Sequence, residues 1–316
     1  MKLKKPKFWD LEKPSIISYI LIPFTLILQI SNFLQKFWIK NKNEKMITVC
    51  IGNIYLGGTG KTPTTIKVYE ILKKLNLKVA VGKKFYSSQE DEKILLEKNT
   101  NLITNSNRKN IVKIAVKNRN DVLIFDDGLQ DKSLNYNINI VCFDALNWIG
   151  NGLLIPAGPL REKLISLKKY DCIFLKNGSS NNKVIIKSIR NINKKMKIFY
   201  TYFKVLNLKK LRNSKKYLIF SGIGNPNNFK RILLDNNFNI SKEIIYPDHF
   251  NYKKTDIDNI KNQAKKIRAK IITTEKDYVK ISKSNQKDIH FLKVKLNIKN
   301  ERTFINYLKT KIYAKN

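Results

Sequence analysis

The stretch MITVCIGNIYLGGTGKTPTTIKVYEILKKL, residues 46–75, decides the fold class of this chain. Its apolar start at 46–51 predicts a buried strand. A glycine-rich turn follows, and then an amphipathic helix at 62–75 with Pro63 in its first turn. Strand, glycine-rich turn and helix in this order are typical of a loop that binds nucleotide phosphates. The sequence therefore predicts an α/β fold with a nucleoside triphosphate site.

The turn supplies the groups that bind phosphate. Its backbone N–H groups point at an anion, the Lys61 side chain adds a charge for the β- and γ-phosphates, and the Thr62 hydroxyl is placed to hold Mg²⁺. Tyr55 stands where the strict motif has its first glycine, so Gly57 and Gly58 must supply the conformational freedom. We predict that ATP binds along this P-loop, which comprises Tyr55, Leu56, Gly57, Gly58, Thr59, Gly60, Lys61 and Thr62.

Two adjacent carboxylates end a second apolar run. Asp126 and Asp127 follow the strand-like residues 122–125, and such a pair is costly beside a buried strand unless it meets a cation. A P-loop requires an acid of this kind to hold Mg²⁺ or its waters. We therefore predict that Thr62, Asp126 and Asp127 hold Mg²⁺, with a solvated turn as the alternative.

The composition is strongly basic. The chain of 316 residues has 62 Lys and Arg against 24 Asp and Glu, a formal net charge of +38. This excess favours a polyanionic partner, or it reflects a lysine-rich composition spread over the whole chain. No recognised RNA- or DNA-binding motif is present, so we expect no nucleic-acid partner. The three cysteines form no C-x-x-C pair, which argues against a zinc site.

The N-terminal segment 15–39 holds a single charged residue, Lys36, and its apolar residues recur near the helical period. Polar residues interrupt it before the ~20 apolar residues that a membrane span requires. It is flanked by Trp9, Trp38 and a set of lysines, Lys2, Lys4, Lys5, Lys7, Lys40, Lys42 and Lys45. The pattern predicts an amphipathic helix in the interface of an anionic membrane. A helix packed on the protein body and a true membrane span are the alternatives.

Strand-like and helical runs alternate along the rest of the chain, which predicts parallel sheets covered by helices. The strands are expected at 46–51, 77–82, 121–125, 138–143, 170–175, 198–206, 216–221, 240–246, 270–274 and 290–295. We predict a two-lobed P-loop NTPase-like α/β/α fold. Its parts are a membrane-associated helix at 1–40, a nucleotide-binding α/β domain at 41–195 and a second α/β domain at 196–316 that closes the substrate cleft.

Several motifs keep one order along the chain, and they are IGNIYLGGTGKTP (51–63), DDGLQ (126–130), GNGLLIPAGPLRE (150–162), SGIGNPNNF (221–229), PDHF (247–250) and TTEKD (273–277). Together they resemble the tetraacyldisaccharide 4'-kinase family, the lipid A 4'-kinases of the inner membrane, from about residue 6 to the C-terminus. The resemblance implies transfer of the γ-phosphate of ATP, with Mg²⁺, to the 4'-hydroxyl of a tetraacylated glucosamine disaccharide 1-phosphate. It also implies peripheral attachment to the anionic cytoplasmic face of the inner membrane, and we infer no obligate protein partner.

The resemblance also assigns catalytic roles. The family's aspartate, which accepts or orients the proton of the sugar hydroxyl, matches Asp91 in Glu90-Asp91-Glu92, and its partner histidine matches His249. With Lys61 of the P-loop, these two residues are the predicted catalytic groups. From the residues alone, Asp91 has the pattern of a helix N-cap region.

Two further residues are candidates for substrate contacts. The family's Arg-Gly-Tyr is matched here by Lys84-Phe85-Tyr86, which makes Lys84 one candidate, although a lysine does not reproduce a bidentate arginine contact. Arg161 is the second candidate, as a phosphate contact, with a simple salt bridge as the alternative. A P-loop ATPase without lipid kinase activity, associated with a nucleic acid or a membrane, is the competing function.

Overall fold

The computed structural model describes residues 5–34, 46–86, 89–131, 133–178, 181–211 and 216–313. The chain divides into two compact units. The larger unit comprises Pro6–Phe85, Leu96–Tyr202 and Leu296–Asn316, and the smaller unit comprises Met1–Lys5, Tyr86–Leu95 and Phe203–Lys295.

The α-helices within the described residues are α1 (Ile16–Leu34), α2 (Lys61–Lys74), α3 (Glu90–Asn99), α4 (Arg108–Lys117), α5 (Lys183–Ile192), α6 (Leu208–Leu211), α7 (Pro226–Asp235), α8 (Lys254–Lys266), α9 (Glu275–Tyr278) and α10 (Glu301–Tyr313). The strands are β1 (Ile47–Gly52), β2 (Val79–Lys84), β3 (Leu102–Asn105), β4 (Val122–Asp126), β5 (Ile138–Asp144), β6 (Cys172–Lys176), β7 (Lys197–Val205), β8 (Tyr217–Ser221), β9 (Ile240–Ile245), β10 (Lys270–Thr274), β11 (Ile289–Leu292) and β12 (Val294–Ile298).

An eight-stranded sheet in the order β12-β7-β6-β5-β1-β4-β2-β3 organises the larger unit. The pairings from β3 through to β7 are parallel. The central strands are continuous apolar runs because helices cover both faces of such a sheet. Parallel strands end on the same side, so β1, β4 and β5 deliver the P-loop, Asp126 and Asp144 to one end of the sheet.

The smaller unit contains a four-stranded parallel sheet in the order β11-β10-β8-β9. After β8 the chain turns into α7, whose N-cap Asn225 accepts a hydrogen bond from the Asn228 amide at 3.1 Å, with Pro226 in the first turn. This arrangement is the strand-to-helix turn that the residue types favour.

The predicted α/β class with parallel sheets is confirmed, and a strand lies at each predicted place. Two strands escaped the sequence analysis. β3 is only four residues long, lies at the edge of its sheet and is half polar in composition. β12 begins two residues after β11 ends, so the two form one run in the sequence.

The N-terminal segment forms a helix, α1, as predicted. No helix within the described residues is long and apolar enough to cross a membrane. Trp9, which was expected to flank the helix at the membrane interface, is buried in the protein, and its indole N–H donates to the Pro156 carbonyl at 3.0 Å. Among the other predicted flanking residues, Lys5 is half-buried and Lys7 is exposed, whereas Lys2, Lys4, Lys40, Lys42, Lys45 and Trp38 lie outside the described residues.

Candidate active site

The P-loop follows β1 and leads into α2. Gly57 has a φ of 147° and Gly60 a φ of 89°, so the backbone freedom lies at Gly57 and Gly60 rather than at Gly57 and Gly58. Gly60 is the N-cap of α2, and no side chain caps this helix end. The first backbone N–H groups of α2 therefore remain directed at the loop, where they suit an anion.

The Asn53 side chain stabilises the P-loop through hydrogen bonds to both of its halves. This buried side chain donates to the backbone oxygens of Tyr55 and Gly57 and, at 3.0 Å, to the Thr59 hydroxyl. Its oxygen accepts a hydrogen bond from Lys61 Nζ at 3.3 Å. One amide thereby ties both halves of the loop together and orients the lysine that is predicted to meet the phosphates.

A buried ion pair supports the loop from the side of β5 and β6. Lys176 and Asp144 are register partners on these neighbouring strands, and their Nζ and Oδ2 atoms are 2.9 Å apart. Lys176 Nζ also donates to the Gly58 carbonyl at 3.2 Å, and the Asn177 side chain donates to Asp144 at 3.0 Å. The pair therefore fixes the backbone of the P-loop at Gly58.

Asp126, at the end of β4, is buried beside the start of α2. Its carboxylate accepts hydrogen bonds from the hydroxyls of Thr62 at 3.3 Å and Thr65 at 2.9 Å. Lys83 Nζ, on the neighbouring strand β2, is 2.9 Å from Asp126 Oδ2. An isolated buried carboxylate is costly, and this ammonium group supplies the positive charge that compensates it.

Asp127 follows in a left-handed conformation, with a φ of 59°. Its carboxylate is 2.9 Å from Arg161 Nη1 and 3.5 Å from Lys61 Nζ. Arg161 also donates to the Gln130 side chain at 3.1 Å, and Gln130 in turn donates to the Asn53 carbonyl at 2.9 Å. Arg161 is thus linked to Lys61 of the P-loop through Asp127, which is a predicted Mg²⁺ ligand.

The donor set at the P-loop fits Mg²⁺. A threonine hydroxyl and a carboxylate lie 3.3 Å apart at Thr62 and Asp126, with Asp127 next along the chain, and oxygen donors are the ligands Mg²⁺ prefers. Within the part of the chain that the structure describes, no group of three or more His, Cys, Asp or Glu side chains is arranged to hold a metal. Mg²⁺ is usually bound through one or two carboxylates and completes its shell with phosphates and water.

The smaller unit brings Asp91 and His249 together. Asp91, at the start of α3, lies 2.8 Å from His249 Nδ1 through Oδ1 and 3.1 Å through Oδ2. The ammonium groups of Lys276 and Lys280 are each 3.7 Å from Asp91 Oδ2. Burial raises the pKa of the Asp91 carboxyl, but the hydrogen bond from His249 and the charge of Lys276 outweigh burial and lower the pKa below its ordinary value.

The short helix α9 places these lysines. The Thr274 hydroxyl caps it by accepting from the Asp277 amide at 3.1 Å. The buried Asp277 carboxylate accepts from the Gly222 amide at 3.0 Å and pairs with Lys280 at 2.7 Å. The TTEKD motif is thus an anchored turn that presents Lys276 and Lys280 to Asp91.

Three of the predicted site residues, Tyr55, Leu56 and Lys84, make contacts that bear on their suggested roles. The Tyr55 side chain is buried and its hydroxyl donates to Asp10. The Leu56 amide donates to the Pro159 carbonyl at 2.8 Å, so this N–H is already satisfied within the protein. Lys84 is half-buried at the end of β2, whereas its neighbour Lys83 is the lysine that reaches Asp126.

The sequence analysis missed several residues that shape the site, namely Asn53, Lys83, Lys176, Lys276 and Lys280. Asn53 and Lys276 lie inside motifs that carried the family resemblance, so motif membership was an available signal. Lys83 and Lys176 each stand near the end of a buried apolar strand, and such an ending was their signal. No signal in the sequence marked Lys280, because it lies after the TTEKD motif in a chain that is rich in lysine.

A profile of the tetraacyldisaccharide-1-P 4'-kinase family, LpxK, matches residues 17–313. The chain belongs to this family. It is 46% identical over 311 residues to the tetraacyldisaccharide 4'-kinase of Pelagibacter ubique, with 98% of each chain covered. The enzyme of the same name from Rickettsia bellii is 35% identical over 333 residues, with 100% of this chain and 99% of that one covered.

The fold is also that of a solved family member. A crystal structure of LpxK from Aquifex aeolicus in complex with ATP matches with a TM-score of 0.68 at 19% identity, covering 94% of this chain and 100% of that one. This chain therefore has the fold of the family as well as its sequence motifs.

Breaking the Lys176–Asp144 pair tests how much the P-loop depends on it. We expect Lys176→Met to lower the free energy of unfolding of the larger unit by about 3–5 kcal/mol, because the buried Asp144 carboxylate loses the ammonium group 2.9 Å away. The double variant Lys176→Met/Asp144→Leu should regain most of that loss. Urea unfolding followed by tryptophan fluorescence reports on this unit, which contains Trp9 and Trp148. A single variant as stable as wild type would contradict this account, as would a double variant no better than the single one.

Proposed function

We propose that this chain transfers the γ-phosphate of ATP to the 4'-hydroxyl of a tetraacylated glucosamine disaccharide 1-phosphate, a late step of lipid A biosynthesis. The observation that carries the proposal is the Asp91–His249 pair, at 2.8 Å, in a chain that also has a P-loop. A P-loop alone serves any nucleotide hydrolase. A buried carboxylate held ionised beside a histidine is a group that accepts a proton, as transfer to a hydroxyl requires.

The P-loop residues bind the phosphates of ATP. Lys61 meets the β- and γ-phosphates, and the first turn of α2 contributes its backbone N–H groups. Thr62 and Asp126, with Asp127, hold Mg²⁺, which neutralises charge on the phosphates when bound. The ATP complex of the Aquifex aeolicus enzyme supports ATP as the nucleotide.

Asp91 accepts the proton of the attacking hydroxyl. Its pKa is lowered, so the carboxylate is ionised over the neutral range and available as a base. His249 fixes the orientation of this carboxylate through Nδ1. A hydrolase can use a base of this kind on water, so it is the match to the tetraacyldisaccharide 4'-kinase family, rather than the base, that disfavours a P-loop ATPase without lipid kinase activity.

The exposed surface of α1 supports membrane attachment through this helix. Among the side chains of this helix that the structure describes, the outward ones are apolar: Ile16, Ile17, Tyr19, Ile20, Phe24 and Leu26 are all more than half exposed. The side chains it buries include Ser18 and Thr25, and Ser18 accepts a hydrogen bond from Asn151 at 3.0 Å. A helix that buries hydroxyls and exposes isoleucines suits a lipid interface better than water. We therefore propose peripheral attachment to the cytoplasmic face of the inner membrane.

Transfer of labelled γ-phosphate tests the activity. In detergent micelles with Mg²⁺ and the disaccharide 1-phosphate, we expect label in the lipid. Lys61→Ala should abolish this label because the positive charge that meets the β- and γ-phosphates is lost. Extraction and chromatography of the lipid measure the product. Hydrolysis of ATP without lipid label in the wild-type protein would refute the proposed reaction.

Replacement of Asp91 tests the base. We expect Asp91→Asn to lower kcat about 10²–10⁴-fold, since an amide cannot take the proton, while ATP binding measured by calorimetry stays unchanged. Glu90→Gln is the matched control, because Glu90 lies one residue away on the same helix and is exposed. Asp91→Asn with the wild-type kcat would rule out the assigned role.

Two acidic substitutions test the surface of α1. We expect Ile20→Asp/Phe24→Asp to lower partitioning to anionic vesicles at least about tenfold, since each side chain contributes roughly 1.5–3 kcal/mol when fully buried. Co-sedimentation with the vesicles measures the bound fraction. Leu234→Asp is the control, because Leu234 is an exposed apolar residue on a helix of the smaller unit. Equal partitioning of all three proteins would disprove attachment through α1.

A further inference from the structure

The imidazole of His249 has a partner at each nitrogen. Nδ1 faces the Asp91 carboxylate at 2.8 Å, and Nε2 lies 3.4 Å from Lys276 Nζ. An ammonium group has only donors, so Nε2 must accept in this contact. A neutral ring then carries its proton on Nδ1, where it donates to Asp91. The two contacts select the same tautomer.

The charged groups around this pair come from several elements. Lys276 and Lys280 face Asp91 from α9 and the residues after it, each at 3.7 Å. Glu92 on α3 and Asp248 beside the histidine lie 3.9 Å and 3.8 Å from Nε2. Asp277 pairs with Lys280 at 2.7 Å. Lys276 therefore lies close to both members of the pair, at 3.7 Å from Asp91 Oδ2 and 3.4 Å from His249 Nε2.

The surroundings keep Lys276 charged. Burial alone lowers the pKa of its ammonium group, but the carboxylates of Glu92, Asp248 and Asp91 outweigh burial and raise the pKa above its ordinary value. The group therefore stays a hydrogen-bond donor throughout the pH range of an assay. In its contact with Nε2, at 3.4 Å, Lys276 can therefore act only as a donor.

We propose that Lys276 is a positioning residue that assigns the roles within the Asp91–His249 pair. By donating to Nε2 it occupies the lone pair with which a neutral imidazole binds a proton. Asp91 is then the group that accepts the proton of the attacking hydroxyl. The consequence for catalysis rests on the proposed function, whereas the contact at Nε2 stands independently of it.

The proton and bond changes balance without another reactant. The hydroxyl O–H bond breaks and its proton moves to a carboxylate oxygen of Asp91. The electron pair of that hydroxyl oxygen forms the new O–P bond, and the bond from the γ-phosphorus to the bridging oxygen breaks, leaving ADP. His249 keeps its proton on Nδ1 and remains a donor to Asp91.

Nitrogen NMR decides the contact at Nε2, because the chain has only two histidines, His249 and His290. In full-length protein labelled with ¹⁵N-histidine, His290→Gln assigns the two rings. At a pH where His290 is neutral, we expect His249 in the wild type and in Lys276→Arg to show a protonated Nδ1 and a hydrogen-bonded, unprotonated Nε2. In Lys276→Met the Nε2 resonance should move toward that of an unpartnered nitrogen, while His290 stays unchanged and reports an intact fold.

Lys280→Met is the matched control. It removes an ammonium group at the same 3.7 Å from Asp91 but leaves Nε2 its donor, so the His249 Nε2 resonance should remain as in the wild type. A proton on Nε2 in the wild-type protein would overturn the proposal. So would a Lys276→Met spectrum identical to that of the wild type.

The pH profile of kcat supplies the catalytic readout. Asp91 must be ionised to act, so kcat falls as pH drops through its pKa. Loss of the Lys276 charge raises that pKa, and we expect the acidic limb of Lys276→Met to move about one unit toward higher pH, with Lys276→Arg restoring the wild-type limb. An unmoved limb would overturn the positioning role of Lys276 in the reaction. Absence of lipid phosphorylation by the wild type would refute the proposed function, and the spectra would still decide the Nε2 contact.

Discussion

The architecture of the P-loop depends on the need to neutralise two buried carboxylates at one end of a parallel sheet. Asp126 and Asp144 leave β4 and β5, the strands on either side of β1, and each has an ammonium group 2.9 Å away. Lys83 comes from β2 and Lys176 from β6, the next strands outward. Unpaired, either carboxylate would cost several kcal/mol. Each pair also contacts the P-loop. The Thr62 hydroxyl donates to Asp126 of the first pair, and Lys176 of the second pair donates to the Gly58 carbonyl. The ion pairs that allow the acids to be buried therefore also set the shape of the phosphate site.

The smaller unit solves a related problem in a different way. Asp91 is nearly fully buried, yet it is approached by His249 and by two lysines rather than by one close cation. At 3.7 Å an ammonium group stabilises the carboxylate without forming a short hydrogen bond to it. The Glu92 amide also donates to Asp91 Oδ1 at 2.9 Å, and a carboxylate held in this way stays ionised, as the proposed role of Asp91 as a base requires. Asp126 instead accepts hydrogen bonds from two hydroxyls and from the ammonium group of Lys83 at 2.9 Å, and a carboxylate fixed in this way suits the proposed role in holding Mg²⁺.

The sequence was informative wherever chemistry is encoded over a few adjacent residues. The glycines and Lys61 of the P-loop, the Asp126-Asp127 pair and the apolar strands are local patterns, and the family resemblance added Asp91 and His249. Contacts between residues far apart in the chain were not predictable. Lys83 reaches Asp126 over 43 positions and Lys176 reaches Gly58 over 118. Nothing in the residues around a strand-end lysine says which carboxylate it will meet, because strand order, rather than sequence order, decides its neighbours.

The net charge of +38 illustrates why composition alone says little about function in this chain. Exposed lysines are interchangeable in their contribution to the surface potential, and their number suggested polyanionic partners of several classes. A lysine that is removed from water must be compensated, since its desolvation is expensive. Lys83 and Lys176 are only 3% and 2% exposed, and each pairs with an acid at the phosphate site. Burial, rather than abundance, therefore distinguishes the lysines that shape the site from those that only charge the surface.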